Sequence, residues 1–296
     1  EKDHSYVASN FAVANCGEGG DMFSFVQKIE NIDFPDALKI LAHKAGVVLV
    51  KEDPKIVSQK NIHLQIIDLV AKFWNKILVS APQAEKALEY LKNRKITEDS
   101  IDEFMLGYAP DSWDTTLKFL KGRGFHENDI FLAGLLIKKD RGAGFYDRFR
   151  NRIIFPIRDS HGIVIGFGGR IMPGASDEKS AKYINSPQTD VYNKSKVVYN
   201  LDKAKNYIKE KDLLVFVEGY MDVVSSWQTS VKNIVATSGT SLTYDHIKLV
   251  KRYSQNIAMA FDSDEAGVTA SFRGIDMILG TDMNLKVITI THGKDP

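Results

Sequence analysis

Three short apolar runs stand out in the last third of the chain, at residues 213–217, 257–261 and 285–290. Each run is rich in branched or aromatic side chains, and sequence long enough for a helix separates one run from the next. This pattern is typical of strands that are buried on both faces of a parallel sheet. Parallel strands joined by right-handed helical crossovers present their carboxyl ends along one edge, where ligands bind. The pattern therefore predicts an α/β domain with a functional edge after these runs.

Carboxylates follow each of the three runs. Glu218 comes directly after the first run, Asp262 and Asp264 follow the second, and Asp295 follows the third. Asp222 lies one helical turn beyond Glu218. Like charges in close quarters either raise the proton affinities of the carboxylates or require a cation, and Mg²⁺, or Mn²⁺ in its place, suits a set of carboxylate oxygens. The alternative is that an isolated D-x-D caps a helix and that Asp222 only meets the amides of a first turn.

Helical periodicity predominates in the first half of the chain. Apolar positions recur at helical spacing over residues 61–79, with Trp74 predicted in the core. Asp33 is predicted to cap a helix over 33–47 that has Pro35 in its first turn. Residues 52–54 are predicted to form a linker. Further helices are predicted from Met22 and at 84–94, 97–104, 113–121 and 127–133.

The charges are divided unevenly along the chain, although the net charge is only +1. Residues 138–211 hold 16 Lys or Arg against 8 Asp or Glu, a net charge of +8, whereas residues 212–296 have a net charge of −3. A basic block beside an acidic one favours a polyanionic partner. The alternative is that the lysine-rich helices in this block are simply solvated.

The basic block contains two predicted strands, at 152–157 and 163–167, joined by a tight turn. Alternating arginines before and within the first strand are predicted to share one face of an extended segment: Arg148, Arg150 and Arg152. The glycine-rich sequence at 166–169 is interpreted as a place of close backbone approach that leaves Arg170 free to reach a phosphate.

Lysines and tyrosines alternate in the loop-rich sequence that follows. Lys182 and Lys194 lie among Tyr183, Tyr192 and Tyr199. Interleaved cations and aromatic rings suit single-stranded nucleic acid, whose backbone needs positive charge and whose bases need stacking. Each tyrosine taken alone is equally compatible with a place in the core.

One cysteine in 296 residues excludes a disulfide framework and fits a reducing, cytoplasmic compartment. No apolar run approaches the roughly 18 residues that a membrane span needs. Cys16 is one potential ligand where structural zinc needs four, so no zinc site is expected. His246 is interpreted as a surface histidine without a role, and residues 237–241 as a candidate phosphate contact.

Several motifs resemble those of the bacterial DnaG-type primases. VEGYMDVV, ATSGTSLTYDHI and AFDSDEAG are similar to the Toprim domain of that family. DRFRNRIIFPIRDSHGIVIGFGGRI and KYINSPQTDVYNK are similar to the basic half of its polymerase core, and residues 16–47 to the tail of its zinc-binding domain. The resemblance implies a zinc-domain remnant at 1–50, a basic subdomain at 55–208 and a Toprim catalytic subdomain at 209–296.

The resemblance also implies a DNA-templated RNA polymerase that makes RNA primers from nucleoside triphosphates on single-stranded DNA, using Mg²⁺, at the replication fork. Catalysis is carried over to Glu218, Asp262 and Asp264, and metal binding to these three with Asp222 and Asp295. Nucleic-acid and nucleotide binding is carried over to Arg148, Arg152, Arg170, Lys182 and Lys194. Family cysteines correspond to Val13 and Cys16, so zinc is not expected here. The family's replicative helicase is expected to bind a region outside this sequence.

Two other functions fit the same features. A topoisomerase or nuclease shares Toprim-like acidic clusters, and a topoisomerase needs a tyrosine nucleophile, for which Tyr183, Tyr192 and Tyr199 have no supporting motif. A non-catalytic fragment that binds single-stranded DNA would use the basic block alone.

Overall fold

The computed structural model describes residues 5–8, 11–14, 21–45, 47, 54–174, 181–237, 242–261, 274–275 and 277–288 of the chain. The chain divides into two compact units, Glu1–Ile56 and Val57–Pro296, and each is taken by itself below. None of the helices in the described ranges combines the length and the apolar character that a membrane span requires.

The first unit contains a hairpin and two helices. Its elements are β1 (Ser5–Ala8), β2 (Phe11–Ala14), α1 (Met22–Glu30) and α2 (Phe34–Lys44). The two strands pair antiparallel, and the sequence did not predict them because four residues are too few for a clear periodicity. The Asp33 carboxylate accepts a hydrogen bond from the Asp36 amide at 3.0 Å. The predicted cap of the second helix is therefore confirmed.

Five helices follow along the chain. They are α3 (Pro54–Ser80), α4 (Glu85–Asn93), α5 (Glu98–Phe104), α6 (Thr115–Lys121) and α7 (Glu127–Leu132). All five coincide with predicted helices, but α3 begins at Pro54 rather than near residue 61, because proline fits a first helical turn. The linker prediction is therefore wrong for Pro54, and residues 52–53 lie outside the described ranges. Trp74 on α3 is buried and makes edge contacts with Phe149 and Phe167. The prediction that Trp74 belongs to the core is confirmed.

Three strands of the basic block and one earlier strand form an antiparallel sheet. Its strands are β3 (Gly107–Ala109), β6 (Arg152–Arg158), β7 (Val164–Ile171) and β8 (Tyr183–Asn185), in the order β3-β6-β7-β8. The small pair β4 (Leu136–Lys138) and β5 (Phe145–Asp147) was not predicted. Between β6 and β7, the Asp159 carboxylate accepts from the amides of His161 and Ile163, and Gly162 takes φ of 91°. The predicted strand pair and its turn are therefore confirmed.

The glycines of β7 lie under aromatic rings. A Cβ added to Gly168 would lie 2.3 Å from the Tyr220 ring, and one added to Gly169 would lie 2.7 Å from the Phe149 ring. The glycines do permit close approach, as interpreted from the sequence, but side-chain rings approach the strand rather than another backbone. Packing therefore explains these glycines without a phosphate loop.

The last third forms the predicted parallel sheet. Its strands β9 (Leu214–Val217), β10 (Ile234–Ala236), β11 (Asn256–Met259) and β12 (Asn284–Val287) lie in the order β10-β9-β11-β12, with helices α8 (Leu201–Lys211), α9 (Tyr220–Gln228) and α10 (Tyr244–Val250). β9 and β11 are largely buried, as predicted. The same prediction is wrong for β12, because this strand forms the sheet edge and leaves Val287 53% exposed.

Candidate active site

Glu218 and Asp222 lie on the turn that joins the central strand β9 to α9. Glu218 follows the last residue of the strand and is partly buried. Asp222, in the first turn of α9, accepts a hydrogen bond from the Gly219 amide on Oδ2 at 2.9 Å. A Cβ on Gly219 would lie 2.9 Å from the same oxygen, so a glycine is needed for this contact. The turn therefore holds two carboxylates at the carboxyl end of the sheet.

The neighbouring strands lead toward the remaining carboxylates. Phe216 on β9 is paired with Met259 on β11, and the Ala260 amide donates to the Phe216 carbonyl at 2.8 Å. On the other side of β11, the Ile288 amide donates to the Met259 carbonyl at 2.8 Å. Asp262, Asp264 and Asp295 lie outside the described residues. The described strands thus run in the predicted directions, and the meeting of all the carboxylates stays a prediction.

Arg170, on β7, is nearly buried at 8% exposure. Its Nη1 donates to the Tyr183 hydroxyl at 2.9 Å, and its Cζ lies 5.1 Å from the centroid of the Tyr90 ring and 5.4 Å from that of Tyr183. The expectation of a free arginine is therefore wrong, because two tyrosines hold it. Within the described ranges, however, no carboxylate pairs with this guanidinium.

Tyr183 connects Arg170 with the acidic turn. Burial raises the pKa of the Tyr183 hydroxyl above its usual value, Arg170 lowers it, and the Asp222 carboxylate raises it further. Asp222 is therefore close enough to Tyr183 to act on it electrostatically. The Tyr183 ring also lies 6.3 Å from that of Tyr220, whose hydroxyl donates to Asn185 on β8, so the basic sheet and the acidic turn lie beside each other.

The sequence predicted that Arg148, Arg150 and Arg152 share one face of an extended segment. This prediction is wrong. β6 begins only at Arg152, and Asn151 before it takes φ of 49°, which interrupts the extended backbone. Arg152 is buried and donates to the carbonyls of Gly169 and Ala181. Burial lowers the pKa of the Arg148 guanidinium, which stays charged. Arg152 thus anchors the segment that leads to Lys182.

Arg150 takes part in an aromatic group that sequence reasoning missed. Its Cζ lies 4.2 Å from the Trp113 ring centroid and 5.1 Å from that of Tyr146, while Trp113 is 64% exposed. An exposed tryptophan beside an arginine is a suitable platform for a nucleic-acid base. The only signal in the sequence was the tryptophan itself, which was counted as part of a helix.

The lysines and tyrosines of the following segment have different environments. Lys182 is exposed and Lys194 is partly buried. Tyr192 and Tyr199 are 4% and 3% exposed, so the core alternative is correct for both, and burial raises the pKa of each hydroxyl. Of the three tyrosines, Tyr183 alone contacts a predicted site residue among the described hydrogen bonds.

His246 is fully buried, so the interpretation as a surface histidine is wrong. Its Nδ1 accepts from the Thr243 amide at 3.3 Å, and its Nε2 lies 2.9 Å from the Lys194 carbonyl. Because Nδ1 accepts, Nε2 carries the proton and donates. The Thr243 hydroxyl donates in turn to the Ser195 carbonyl at 2.8 Å. The start of α10 therefore fixes the backbone of the Lys194 segment.

Acid should weaken this connection. Burial lowers the pKa of His246 below its usual value of 6.5, although the Lys194 carbonyl, Asp245 and the Val197 carbonyl oppose the shift. Below pH 6.5, His246 is therefore protonated in the unfolded chain before it is protonated in the folded chain. The free energy of unfolding that depends on neutral His246 is fully present above pH 6.5 and decreases below it. Between pH 7.5 and 5, the free energy of unfolding measured with denaturant should fall more steeply for wild type than for His246→Gln. The difference in slope should be at most about 1.4 kcal/mol per pH unit. Equal slopes would contradict the assignment.

Two further sequence predictions fall outside the described residues. Cys16 lies there, and so do residues 238–241 of the candidate phosphate contact, whereas Thr237 is described and buried. Within the described part of the chain, no three His, Cys, Asp or Glu side chains are placed to hold a metal ion together. Three of the five predicted metal ligands are not in that part.

Three family models match consecutive parts of the chain. Residues 5–56 match the CHC2 zinc finger, residues 73–205 the N-terminal domain of the DNA primase catalytic core, and residues 215–296 a Toprim-like domain. Residues 5–56 therefore belong, by sequence, to a zinc-ribbon family. Residues 5–56 contain one cysteine, Cys16, and one histidine, His43. These residues alone do not supply the four ligands of a structural zinc site.

Known proteins match over most of the chain. The DNA primase of Deinococcus radiodurans is 38% identical over 282 residues, which cover 95% of this chain and 48% of that protein. The chain thus spans about half the length of the curated relatives that it matches.

A DnaG primase catalytic domain bound to single-stranded DNA is 36% identical, with a TM-score of 0.72 over 81% of this chain and 74% of that one. The zinc-binding and RNA polymerase domains of the Aquifex aeolicus primase are 32% identical, with a TM-score of 0.70 over 100% of this chain and 71% of that one. The mixed α/β fold with its parallel sheet agrees with these structures. The chain therefore belongs to the DnaG-type family of bacterial DNA primases.

Proposed function

We propose that the chain carries the catalytic core of a DNA-templated RNA polymerase that makes short RNA primers from nucleoside triphosphates on single-stranded DNA. One observation carries the proposal: the acidic turn at the end of β9 lies beside a nearly buried arginine that has no carboxylate partner among the described residues. Carboxylates that hold magnesium and a cation that receives phosphate are the two requirements of nucleotidyl transfer.

The acidic set suits magnesium by its chemistry. We propose that Glu218, Asp262 and Asp264 hold the catalytic metal and that Asp222 and Asp295 contribute further ligands. Carboxylate oxygens are the preferred protein ligands of Mg²⁺, and Mn²⁺ accepts the same ligands. The hydrogen bond from the Gly219 amide to Asp222 does not prevent metal binding, because a carboxylate has two oxygens and about four lone-pair sites.

Each side chain would contribute position or charge to the reaction. Bound magnesium would lower the proton affinity of the attacking 3′-hydroxyl and stabilise the departing pyrophosphate. Arg170, Lys182 and Lys194 would neutralise phosphates of the nucleotide and the template. Arg148 would add positive charge beside the template, while Arg152 would hold the segment of Lys182 through its backbone bonds. No protein nucleophile is required.

The direct test is incorporation of labelled nucleoside triphosphates on a single-stranded template, with and without Mg²⁺. We expect short RNA products that depend on template, metal and all the triphosphates that the template encodes. A chain that binds the template but forms no product with Mg²⁺ or Mn²⁺ would contradict the proposal. We propose that this chain binds single-stranded DNA, as the similar primase domain does. We also propose that a replicative helicase binds the protein outside this sequence.

Substitution of Asp222 should separate its two roles. Asp222→Asn keeps an oxygen acceptor for the Gly219 amide and removes the charge, whereas Asp222→Ala removes both. If Asp222 binds metal, the asparagine variant should lose about tenfold or more in synthesis and keep its thermal stability. The alanine variant should in addition lose about 1 kcal/mol of stability with the helix contact. An asparagine variant with wild-type synthesis would leave Asp222 with the structural role alone.

The environments of the three tyrosines argue against the topoisomerase alternative. Tyr192 and Tyr199 are buried, and Tyr183 accepts a hydrogen bond from Arg170. A nucleophile must reach a phosphodiester, which buried hydroxyls of raised pKa cannot do. Relaxation of supercoiled DNA without nucleotides would nevertheless favour that alternative. We propose the division into 1–50, 55–208 and 209–296 together with the polymerase function.

A further inference from the structure

Two tyrosines from different elements contact the Arg170 guanidinium. Tyr183 lies opposite Arg170 in the pairing of β7 with β8, and its hydroxyl accepts from Nη1 at 2.9 Å. Tyr90 comes from α4, eighty residues earlier in the sequence, and its ring centroid lies 5.1 Å from Cζ. The arginine is therefore held both by its own sheet and by the helical part of the molecule.

The arrangement leaves a buried cation without a counter-charge among the described residues. Arg170 is 8% exposed, and its buried Nε has no hydrogen-bond partner in the part of the chain that the structure describes. A buried charge normally requires an ionic or hydrogen-bonding partner, and aromatic faces offset only part of its desolvation. Such a cation favours the arrival of an anion. The Tyr183 ring lies 6.3 Å from the ring of Tyr220, which directly follows Glu218 and Gly219 in the chain, so the anion would bind beside the acidic turn.

We infer that Tyr90 and Tyr183 are positioning residues that hold the Arg170 guanidinium beside the acidic turn, ready to bind a phosphate of the nucleotide or of the template. The inference rests on the proposed function, because it assigns Arg170 to a phosphate of that reaction. Neither tyrosine touches the reacting atoms. Each acts through the arginine.

The two tyrosines contribute in different ways. Tyr183 supplies a ring and a hydrogen bond, whereas the buried Tyr90 hydroxyl finds no hydrogen-bond partner within the described ranges. The contribution of Tyr90 to Arg170 therefore comes from its ring. The same ring lies 5.7 Å from the Cζ of Arg94, so a test must separate an effect through Arg170 from one through Arg94.

The test measures two phosphate ligands separately. KM and kcat are determined for nucleoside triphosphate at saturating template and for template at saturating triphosphate. Dissociation constants of a labelled deoxythymidine oligonucleotide and of a triphosphate are measured without synthesis. Tyr90→Leu should weaken the binding of at least one of the two ligands about tenfold, which is the effect of losing a partly desolvated cation–π contact. Its kcat should be nearly unchanged. Tyr90→Phe should restore binding because it keeps the ring.

A matched control is Tyr207→Leu. Tyr207 is likewise a helical tyrosine, 39% exposed, but it lies on α8 and its ring packs against Trp227. Thermal unfolding of all variants shows whether a loss of binding follows a loss of structure. Tyr207→Leu should leave the dissociation constants of both ligands unchanged.

A double-substitution cycle identifies the arginine through which Tyr90 acts. If Tyr90 acts through Arg170, Tyr90→Leu should have little further effect in an Arg170→Ala background. An undiminished effect in that background, or unchanged ligand binding by a folded Tyr90→Leu, would overturn the inference. Should Tyr90→Leu fail to fold, Tyr183→Phe, which removes only the hydrogen bond, should weaken the same ligand about fivefold, and wild-type affinity would overturn the inference.

Failure of the proposed function gives a different result. A wild-type chain that binds oligonucleotide and triphosphate but makes no RNA would contradict the polymerase function. The binding constants of the Tyr90 and Tyr183 variants would still decide whether these residues position Arg170 for a phosphate.

Discussion

Glu218→Gln should reduce template-directed RNA synthesis in Mg²⁺ about a thousandfold, which corresponds to roughly 4 kcal/mol of lost transition-state stabilisation. Glu218 directly follows the central strand of the parallel sheet, beside the strand that leads to Asp262. Glutamine keeps the size of the side chain and removes the charge that metal binding requires. The initial rate of labelled triphosphate incorporation, compared at several Mg²⁺ concentrations, measures the loss.

The control for this prediction is Glu210→Gln, which makes the same change at an exposed position on α8. It should leave synthesis unaltered. Oligonucleotide binding by Glu218→Gln should stay close to that of wild type, because the proposal assigns the backbone to the basic sheet and not to Glu218. Asp262→Asn should reproduce the loss of synthesis. Synthesis by Glu218→Gln within threefold of wild type would refute the metal-binding assignment.

Gly168→Ala should destabilise the protein by about 1–3 kcal/mol or more, the usual cost of overpacking a core. The added Cβ would lie 2.3 Å from the Tyr220 ring, which is buried and stacked on Phe155 with centroids 5.1 Å apart. The ring therefore has no open side to which it can move. Denaturant unfolding of the two proteins measures the difference in free energy.

A compensating substitution tests the cause of this loss. In a Tyr220→Leu background, which removes the ring, Gly168→Ala should cost much less than it does in wild type. If the cost is the same in both backgrounds, a backbone effect of the alanine and not the ring would be responsible.

The sequence was sufficient for the elements whose residues repeat with a clear period. The long helix around Trp74 shows eight apolar positions at helical spacing, and the strand before Glu218 is a continuous apolar run with a glycine after its carboxylate. Both were predicted, because the burial of one face or of a whole strand fixes the pattern of residues. The exposed character of β12 was not predictable, because strand order decides which strand lies at the edge.

The features that were missed depend on contacts between distant residues. His246 was interpreted as a surface residue because histidine is polar, but the Lys194 backbone covers it. Tyr90 and Arg170 are separated by a whole helical region, and no local signal relates them. Asn151 turns the chain between Arg150 and Arg152 with a positive φ, which the alternation of arginines conceals. Long-range packing, rather than local preference, determines each of these.

The helix α9 is attached to the rest of the molecule at both ends. At its start, the Tyr220 ring covers Gly168 and its hydroxyl donates to Asn185 on β8 at 2.7 Å. At its end, the Gln228 side chain bonds the Thr97 amide and the Lys95 carbonyl. These contacts hold α9, and with it the acidic turn, against the arginine-bearing sheet at one end and against the helical region at the other. A template strand that binds as proposed would meet carboxylates and a guanidinium already in place, so that the cost of arranging them would fall on folding and not on each turnover.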